Sequence, residues 1–340
     1  MGLRRYLVKR AITGAVTIFA VVVFNFFLFR LPIFFLGWDP TDVYIGPTMS
    51  AETREIIRQL WGLPSENATF QEWFNHFLKY VKNMFTFNFG FSYRTSRPVV
   101  NLISERIGNT LLLMGTSTVL SILLGIWAGV KAASRHGKRT DISLVTMSLF
   151  LYSMPIFWLG MMMLLIFGFY LNQLSGGLIY FPIGGKTHSY PIPTDPIQYF
   201  IDLLWHLALP VTTLTLNNFG YYLLLMRGNL VDVLSEDYIL TAKAKGLDER
   251  TILFKHAMRN AFLPMITVIS LSLATVWTGA TLTETVFNWY GIGRLIFEAL
   301  TQMDFPISEA IFFVMSFTIV IANIIADILY GFVDPRVRYD

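Results

Sequence analysis

The sequence predicts an all-α integral membrane protein with six transmembrane helices. Hydrophobic residues make up 54% of the 340 residues and charged residues only 14%, whereas soluble domains carry about 25% charged residues. So few charged side chains cannot cover the surface of soluble domains of this size. Six windows are nearly free of charge, each close to the length of about 20 residues that a helix needs to cross a bilayer. The chain contains no cysteine, so neither disulfides nor thiolate metal sites are expected.

The first predicted span is separated from the other five by a long insert. In chain order the six windows are 11–29, 107–130, 142–171, 203–226, 260–283 and 310–332. The first is long for a signal peptide and lacks a small-residue cleavage site after it, so we expect it to be retained. These windows predict three domains: a first transmembrane helix within 1–31, an extracytoplasmic helical insert at 32–105 and a five-helix core at 106–340. Pro155, Pro210 and Pro264 fall inside the third, fourth and fifth spans and predict kinks with a structural role.

The distribution of positive charge predicts the orientation. Of the 26 lysines and arginines, 16 fall in the segments 1–10, 131–141 and 227–263 and after residue 332. Lysine and arginine next to a membrane collect on the cytoplasmic side. Both termini are therefore predicted to be cytoplasmic, in a multi-pass protein of the cell membrane.

The insert is too long for a bare loop, and it carries two helix signals. One helix is predicted at 50–60, ended by Gly62 and Pro64. A second is predicted from a capping box at Thr69 and Glu72 through about residue 84. Its apolar residues are Trp73, Phe74, Phe77 and Tyr80. We expect a small packed cap on the membrane bundle, and a surface that faces substrate is the open alternative.

The segment 227–263 predicts two helices joined by a tight turn. Gly246 follows the first helix, where a left-handed residue is favoured. Asp248 is a good N-cap for the second, and Leu247 and Ile252 stand at the positions of a hydrophobic staple. This second helix, of about eleven residues, is too short to be stable alone, so it must lie on the membrane surface or against another protein. Both alternatives remain open on these grounds, although small residues nearby favour close approach of a partner.

Four segments resemble the permease subunits of ABC importers, in the dipeptide/oligopeptide and nickel group. Residues 237–247 with 256–264 resemble the EAA loop of these permeases, 282–295 resembles the motif after their fifth helix, and 89–99 and 333–339 resemble two further signatures. The loop departs from the general EAA pattern at Leu240 and Thr241, and Tyr290 replaces a usual proline. The resemblance implies that an ATPase docks on Ala242, Ala244, Gly246, Leu247, Asp248, Thr251, Phe254, His256 and Met258. It also implies roles for Glu284, Gly291 and Gly293 in an outer motif.

The resemblance implies a transport subunit and not an enzyme. Such importers contain two homologous permease subunits, two cytoplasmic ATPase subunits and an extracytoplasmic substrate-binding protein, and they import oligopeptides or similar solutes such as oligosaccharides. ATP and magnesium belong to the ATPases, so no cofactor and no nucleic acid is expected on this chain. The sequence agrees, because the segment ending Gly185-Lys186-Thr187 has Tyr180 where a phosphate-binding loop needs its first glycine.

An ion-coupled secondary transporter is the alternative. Such proteins use titratable groups near the middle of the membrane, whereas Glu284 and Asp327 lie near span ends. No metal-ligand spacing appears, and His206 is expected to be structural.

Polar residues in the fourth and fifth spans are candidates for the translocation path. They are Asn217, Asn218, Tyr221, Tyr222, Thr275, Trp277, Thr278 and Thr281. Asparagine and threonine also hydrogen-bond between membrane helices, so a path and helix packing are equally favoured at this stage.

Overall fold

The computed structural model describes residues 3–36, 41–44, 50–65, 68–188 and 194–333, and these residues are almost entirely helical. Six of the described helical segments are long and apolar enough to span a membrane, which confirms the predicted fold class. Side chains are described except at 3–7, 31–36, 42–43, 51 and 326–333. The side chain of Asp327 and most of the C-terminal signature therefore lie outside the described part.

The helices fall into two compact units, residues 1–109 with 291–340 and residues 110–290. In chain order the helices are α1 Leu3–Leu36, α2 Thr41–Tyr44, α3 Ala51–Leu60, α4 Phe70–Phe85, α5 Val99–Ala133, α6 Arg139–Ser153, α7 Ile156–Met163, α8 Leu171–Leu174, α9 Pro196–Leu234, α10 Asp237–Ala244, α11 Glu249–Thr251, α12 Met258–Ala274, α13 Thr281–Val286, α14 Ile292–Thr301 and α15 Phe305–Val333. Two π-helical segments, Leu164–Tyr170 and Ile252–Ala257, and a 3-10 turn, Val276–Thr278, complete the set.

In the first unit, α4 lies where the sequence predicted it. The Thr69 hydroxyl accepts from the Glu72 backbone N–H at 3.4 Å, and the Glu72 carboxylate accepts from the Thr69 N–H at 2.6 Å, which completes the capping box. Tyr80 is buried against α1, whereas Phe74, predicted to be on the apolar face, is exposed. One face of α4 thus joins the core that α1 and α15 form.

A buried ion pair joins α1 and α15. The Arg30 guanidinium donates to the Glu309 carboxylate at 3.1 Å, and both side chains are almost fully buried. The charge of Glu309 sets the start of the predicted apolar window at residue 310, but the helix α15 begins earlier, at Phe305. A partner of opposite charge lets Glu309 enter an apolar helix, where a lone carboxylate is costly.

In the second unit, α5 and α9 approach so closely that only glycine fits between them. A Cβ added to Gly125 would lie 2.7 Å from the backbone oxygen of Phe219, and one added to Gly129 would lie 2.7 Å from that of Leu223. These two glycines are four residues apart, so they share one face of α5 and form a small-residue helix interface.

The third span is broken where a kink was predicted. Helix α6 ends at Ser153, Met154 is extended, and Pro155 precedes α7. The Asn217 side-chain amide of α9 donates to the carbonyl oxygens of Leu151 and Met154 at 3.1 and 3.0 Å. The break is stable inside an apolar region because Asn217 satisfies the carbonyls that the proline frees.

The second helix of the 227–263 segment is longer than predicted. It was predicted to be a separate helix of about eleven residues, but α11, a π segment and α12 form one continuous helix over residues 249–274. No glycine or proline lies between residues 252 and 263 to end it, and Ile252 and Ala257 are buried, which supplies the packing that a short isolated helix lacks.

Candidate docking surface and transport path

Gly246 ends α10 in a Schellman motif. The Gly246 N–H donates to the Lys243 carbonyl at 2.9 Å, and the Leu247 N–H donates to that of Ala242 at 3.4 Å. The glycine has a φ of 73°, and a Cβ added there would meet nothing within 4 Å. Glycine is therefore required here by its backbone conformation and not by crowding within the chain.

Asp248 starts the next helix, as predicted. Its carboxylate accepts from the Thr251 backbone N–H at 3.0 Å. Hydrogen bonds from the hydroxyl and the backbone N–H of Thr251 hold the pKa of Asp248 below its usual range. The residue is thus ionised at neutral pH, where its charge suits the N-terminus of the helix.

The turn and the following helix rest on a buried apolar cluster. Ile239, Ile252 and Ala257 pack with residues of α9, among them Met226 and Leu230. This packing holds the segment in place within the chain.

The candidate docking residues include buried, half-buried and exposed members. Ala242 is only 6% exposed and packs inside the unit, so its surface is not open to a partner. Thr251, His256 and Met258 are half-buried. The exposed members are Ala244, Gly246, Leu247, Asp248 and Phe254. The π segment contains residue 254, so residues 251, 254 and 258 do not have the angular spacing that an α-helix would give them.

An ion pair missed by the sequence analysis fixes the start of this segment. Arg227 donates to both oxygens of Asp141, at 2.5 and 2.8 Å, and the Gly137 N–H donates to the same carboxylate at 2.9 Å. The hydrogen bonds from Arg227 hold the pKa of Asp141 at about 2. The sequence signal for this pair is the opposite charge of two residues that each adjoin a predicted span. The pair ties the first turn of α6 to α9.

The candidate path residues do not form one group. Asn217 is bound to the break in the third span, the Asn218 amide donates to the Leu214 carbonyl at 2.8 Å, and Tyr222 is buried. Asn217 and Tyr222 thus serve packing between helices, whereas Asn218 is exposed and its amide bonds within its own helix.

The remaining candidates lie on α9 and around an interruption of the fifth span. Tyr221, Thr275 and Trp277 are exposed, and Thr278 and Thr281 are half-buried. Four of the five flank the point where α12 ends and Gly279, with a φ of 77°, leads to α13. Interrupted membrane helices with exposed polar groups are typical of substrate paths in transporters.

Glu284 of the 282–295 motif is fully buried. Its carboxylate accepts from the Thr110 hydroxyl at 2.9 Å and from the Ala280 N–H at 3.4 Å, and its carbonyl accepts from the Trp289 N–H at 2.7 Å. The Glu284 carboxylate is thus held by groups of its own unit, which suits a structural role. In the other unit, Gly291 and Gly293 are buried at the start of α14.

Family comparisons identify the chain. A model of the family described as "Binding-protein-dependent transport system inner membrane component" matches residues 121–339, and a model of the N-terminal part of such membrane components matches residues 3–114. The chain belongs to this family. As an inner membrane component it is a multi-pass transport subunit and not an enzyme, which confirms the resemblance seen in the sequence.

Relatives of this inner membrane component match it over nearly its whole length. The oligopeptide transport system permease protein AppB of Bacillus subtilis (strain 168) is 32% identical over 98% of this chain and 99% of its own. The di/tripeptide transport system permease protein DppB of Pseudomonas aeruginosa (strain UCBPP-PA14) is 34% identical over 95% of each chain. A solved chain of the MetNI methionine ABC transporter, in an inward-facing conformation, has the same fold, with a TM-score of 0.51 at 15% identity over 71% of this chain and 100% of that one.

Proposed function

We propose that the chain is one of two homologous permease subunits of an ATP-driven importer for oligopeptides or for similar oligomeric solutes such as oligosaccharides. The relatives named for peptide transport, which match almost end to end, support this substrate class. Two cytoplasmic ATPase subunits supply the energy and bind ATP and magnesium, and an extracytoplasmic binding protein delivers the solute. The excess of lysine and arginine at 1–10, 131–141 and 227–263 supports cytoplasmic termini and a cytoplasmic 227–263 segment.

The ATPase docks on the turn at Gly246 and the first part of the helix that follows. The observation that carries this is the exposure of apolar and small residues on a segment whose other side is buried. Phe254 is 54% exposed while its neighbours Ile252 and Ala257 are buried. Covering a phenylalanine side chain stabilises a complex by roughly 1.5–3 kcal/mol. A partner groove that takes Phe254 and Leu247 therefore gains affinity without unfolding the segment.

The continuous helix at 249–274 connects the proposed docking segment to the fifth span, so a displacement of one end is transmitted to the other. A helix of this length is about 39 Å long at 1.5 Å per residue. A push on its first turns by a closing ATPase is carried into the fifth span, because residues 249–274 stay helical through Pro264. The rearrangement of the bundle between inward-open and outward-open states follows as a shift between two conformations.

The solute path runs along the polar residues at the interruption of the fifth span. Thr275, Thr278 and Thr281 with Tyr221 and Trp277 supply hydroxyl, indole and aromatic surface suited to a peptide or sugar chain. Asn217 and Tyr222 are assigned instead to packing between helices, since Asn217 is bonded to the break in the third span and Tyr222 is buried. Asn218 is exposed and stays a candidate for the path.

A matched pair of glycine variants tests the docking surface. Gly246→Val places a β-branched side chain on the proposed contact and strains a left-handed position, at a cost of roughly 1–2 kcal/mol. Gly62→Val is the control, because Gly62 has a φ of 66°, open space around its Cβ and the same Schellman hydrogen bonds, from Gly62 N–H to Gln59 and from Leu63 N–H to Arg58. Both variants therefore carry a similar backbone penalty at different places on the chain.

The measurement is co-purification of the ATPase subunits with the permease, together with ATP hydrolysis by the complex. We expect Gly246→Val to lose most of both, and Gly62→Val to retain both. Equal retention by the two variants, at equal levels of folded permease in the membrane, would place the docking surface elsewhere.

A further inference from the structure

Three polar side chains of the second unit meet where α9 begins, although they are distant in sequence. The imidazole of His188 contacts the Asp202 carboxylate through Nδ1, and the His206 Nδ1 lies 3.3 Å from the same carboxylate. One ligand atom from each of the three side chains lies within 4.8 Å of the other two. The sequence predicts a structural role for His206 and shows no metal-ligand spacing, because His188 comes from a loop 14 residues before Asp202.

The backbone holds these side chains in place independently of any bound ion. Asp202 and His206 are four residues apart on α9, so they share one face of the helix. The His188 backbone N–H donates to Asp202 at 2.8 Å. The loop before His188 is anchored as well, because the Trp205 indole N–H donates to the Tyr180 carbonyl at 2.9 Å. The three side chains are thus preorganised.

The hydrogen bonds leave lone pairs for a cation. The His206 Nδ1 lies 2.8 Å from the Asp202 carbonyl oxygen, which only accepts, so this nitrogen carries the proton and Nε2 has the lone pair. The His188 Nε2 lies 2.6 Å from the Tyr180 hydroxyl. In the metal-free chain the His188 Nδ1 donates to the Asp202 carboxylate, so Nε2 accepts from the Tyr180 hydroxyl. A metal ion at the carboxylate takes the place of the Nδ1 proton, which moves to Nε2, and Nε2 then donates to the Tyr180 hydroxyl. Histidine ligands of metals commonly have the second ring nitrogen fixed in this way.

The burial of these side chains and the charge of Asp202 also favour a bound cation. The Asp202 and His206 side chains are 9% and 3% exposed. Among the described residues, the ion-pair partners of Asp202 are these two histidines, with no lysine or arginine. A buried carboxylate needs a compensating positive charge, and a divalent cation held between the carboxylate and the two imidazoles supplies it.

We propose that His188, Asp202 and His206 form a binding site for Zn²⁺ or a divalent transition metal of similar preference. Two imidazole nitrogens and one carboxylate oxygen are ligands that Zn²⁺ uses, with a water as the fourth, whereas Ca²⁺ and Mg²⁺ require oxygen ligands. The ion lies on the side of the membrane that the charge distribution predicts to be outside.

The bound metal fastens the 180–188 loop to α9. The other side of this loop contacts the motif that contains Glu284, since the Gly185 N–H donates to the Phe287 carbonyl at 3.1 Å and a Cβ on Gly184 would lie 3.0 Å from the same oxygen. Metal binding therefore stiffens the connection between the start of the fourth span and the end of the fifth.

The test is Zn²⁺ binding by the full transporter complex, purified through a tag without histidine, stripped with a chelator and titrated with Zn²⁺ alone. The readout is the difference between the parent complex and complexes with His188→Gln or Asp202→Asn, so that sites on other subunits cancel. His136→Gln is the control, because His136 is an exposed histidine elsewhere in the same unit. A Co²⁺ titration reports the coordination geometry by its visible spectrum.

We expect one Zn²⁺ more per copy of this chain in the parent and in His136→Gln than in either ligand variant. Tyr180→Phe should weaken this binding about 10–100-fold, as the loss of a group orienting a ligand does. Zn²⁺ should raise the melting temperature of the parent and not that of His188→Gln. The His188 side chain is half-exposed, so the glutamine should leave the metal-free chain folded. Equal Zn²⁺ binding by the parent and His188→Gln would overturn the proposal and leave a cluster held by protons alone. That result would not affect the transport function, which depends on the ATPases.

Discussion

Single residues in this protein hold loops in place through charge. Asp141 shows this most clearly, because its buried carboxylate accepts from Arg227 and Gly137, which belong to two different segments. Arg227 lies in the last part of α9, which precedes the proposed docking segment, and its partner Asp141 lies in the first turn of α6. The ion pair therefore helps to hold the last part of α9 in position.

Replacing Asp141 with asparagine should lower the free energy of unfolding by about 1.5–3 kcal/mol, the usual contribution of hydrogen bonds to a charged group. The change keeps the side-chain size but removes the charge that Arg227 needs. The measurement is thermal or denaturant unfolding of the purified chain in detergent. Asp232→Asn, at an exposed position of the same unit, is the control and should change little.

The contribution of Asp141 also predicts a pH dependence. Its pKa falls from 3.8 to about 2 on folding, so the folded state favours the ionised form. The stabilisation is then complete above about pH 4–5 and is lost as the pH falls toward 2. The stability gap between the parent and Asp141→Asn should therefore be constant from pH 5 to 7 and shrink below pH 4. A gap that grows as the pH falls would contradict this role.

At the scale of helices, close packing through glycine sets the arrangement of α5 and α9. Gly125 and Gly129 allow the α5 backbone to touch the α9 backbone. Gly108, earlier on α5, has nothing within 4 Å of an added Cβ. The same substitution at 129 and at 108 thus separates the effect of packing from that of helix propensity.

Gly129→Ala should destabilise the chain by about 1–3 kcal/mol, because the added methyl meets the Leu223 carbonyl and the helices must move apart. Gly108→Ala should be neutral or should stabilise the chain by up to about 1 kcal/mol, since alanine is the better helix former. Unfolding of both variants in the same detergent is the measurement. Equal effects at the two positions would show that the contact between the two helices carries no stability.

Local signals were readable from the sequence, and signals that join distant segments were not. The Schellman turn at Gly246, the N-cap at Asp248 and the capping box at Thr69 depend on neighbouring residues, and all three form. Hydropathy located the six spans because a membrane-spanning segment is recognised from its own length and its lack of charge. The buried Glu309 was left outside its span because its partner, Arg30, is 279 residues away. The extent of the helix at 249–274 was also missed, since burial of Ile252 and Ala257 sustains it, and the π segment follows no simple period.

At the scale of the whole molecule, the chain has parts for moving a solute but is proposed to obtain its energy from partners. The helix that begins at the proposed docking turn continues into the fifth span, whose far end is interrupted beside Thr275, Thr278 and Thr281. The buried carboxylates Glu284 and Glu309 are bound to Thr110 and Arg30, which suits fixed structural roles better than cycles of proton binding. This arrangement favours ATP-driven transport over coupling to an ion gradient.

Uptake of a labelled oligopeptide into proteoliposomes tests this account most directly. Vesicles containing the chain with its partner permease, the ATPases and the binding protein should accumulate the peptide only when ATP and magnesium are supplied to the ATPase side. Vesicles containing the chain alone should accumulate none when a proton or sodium gradient is imposed without ATP. Gradient-driven accumulation by the chain alone would contradict the account and identify a secondary transporter.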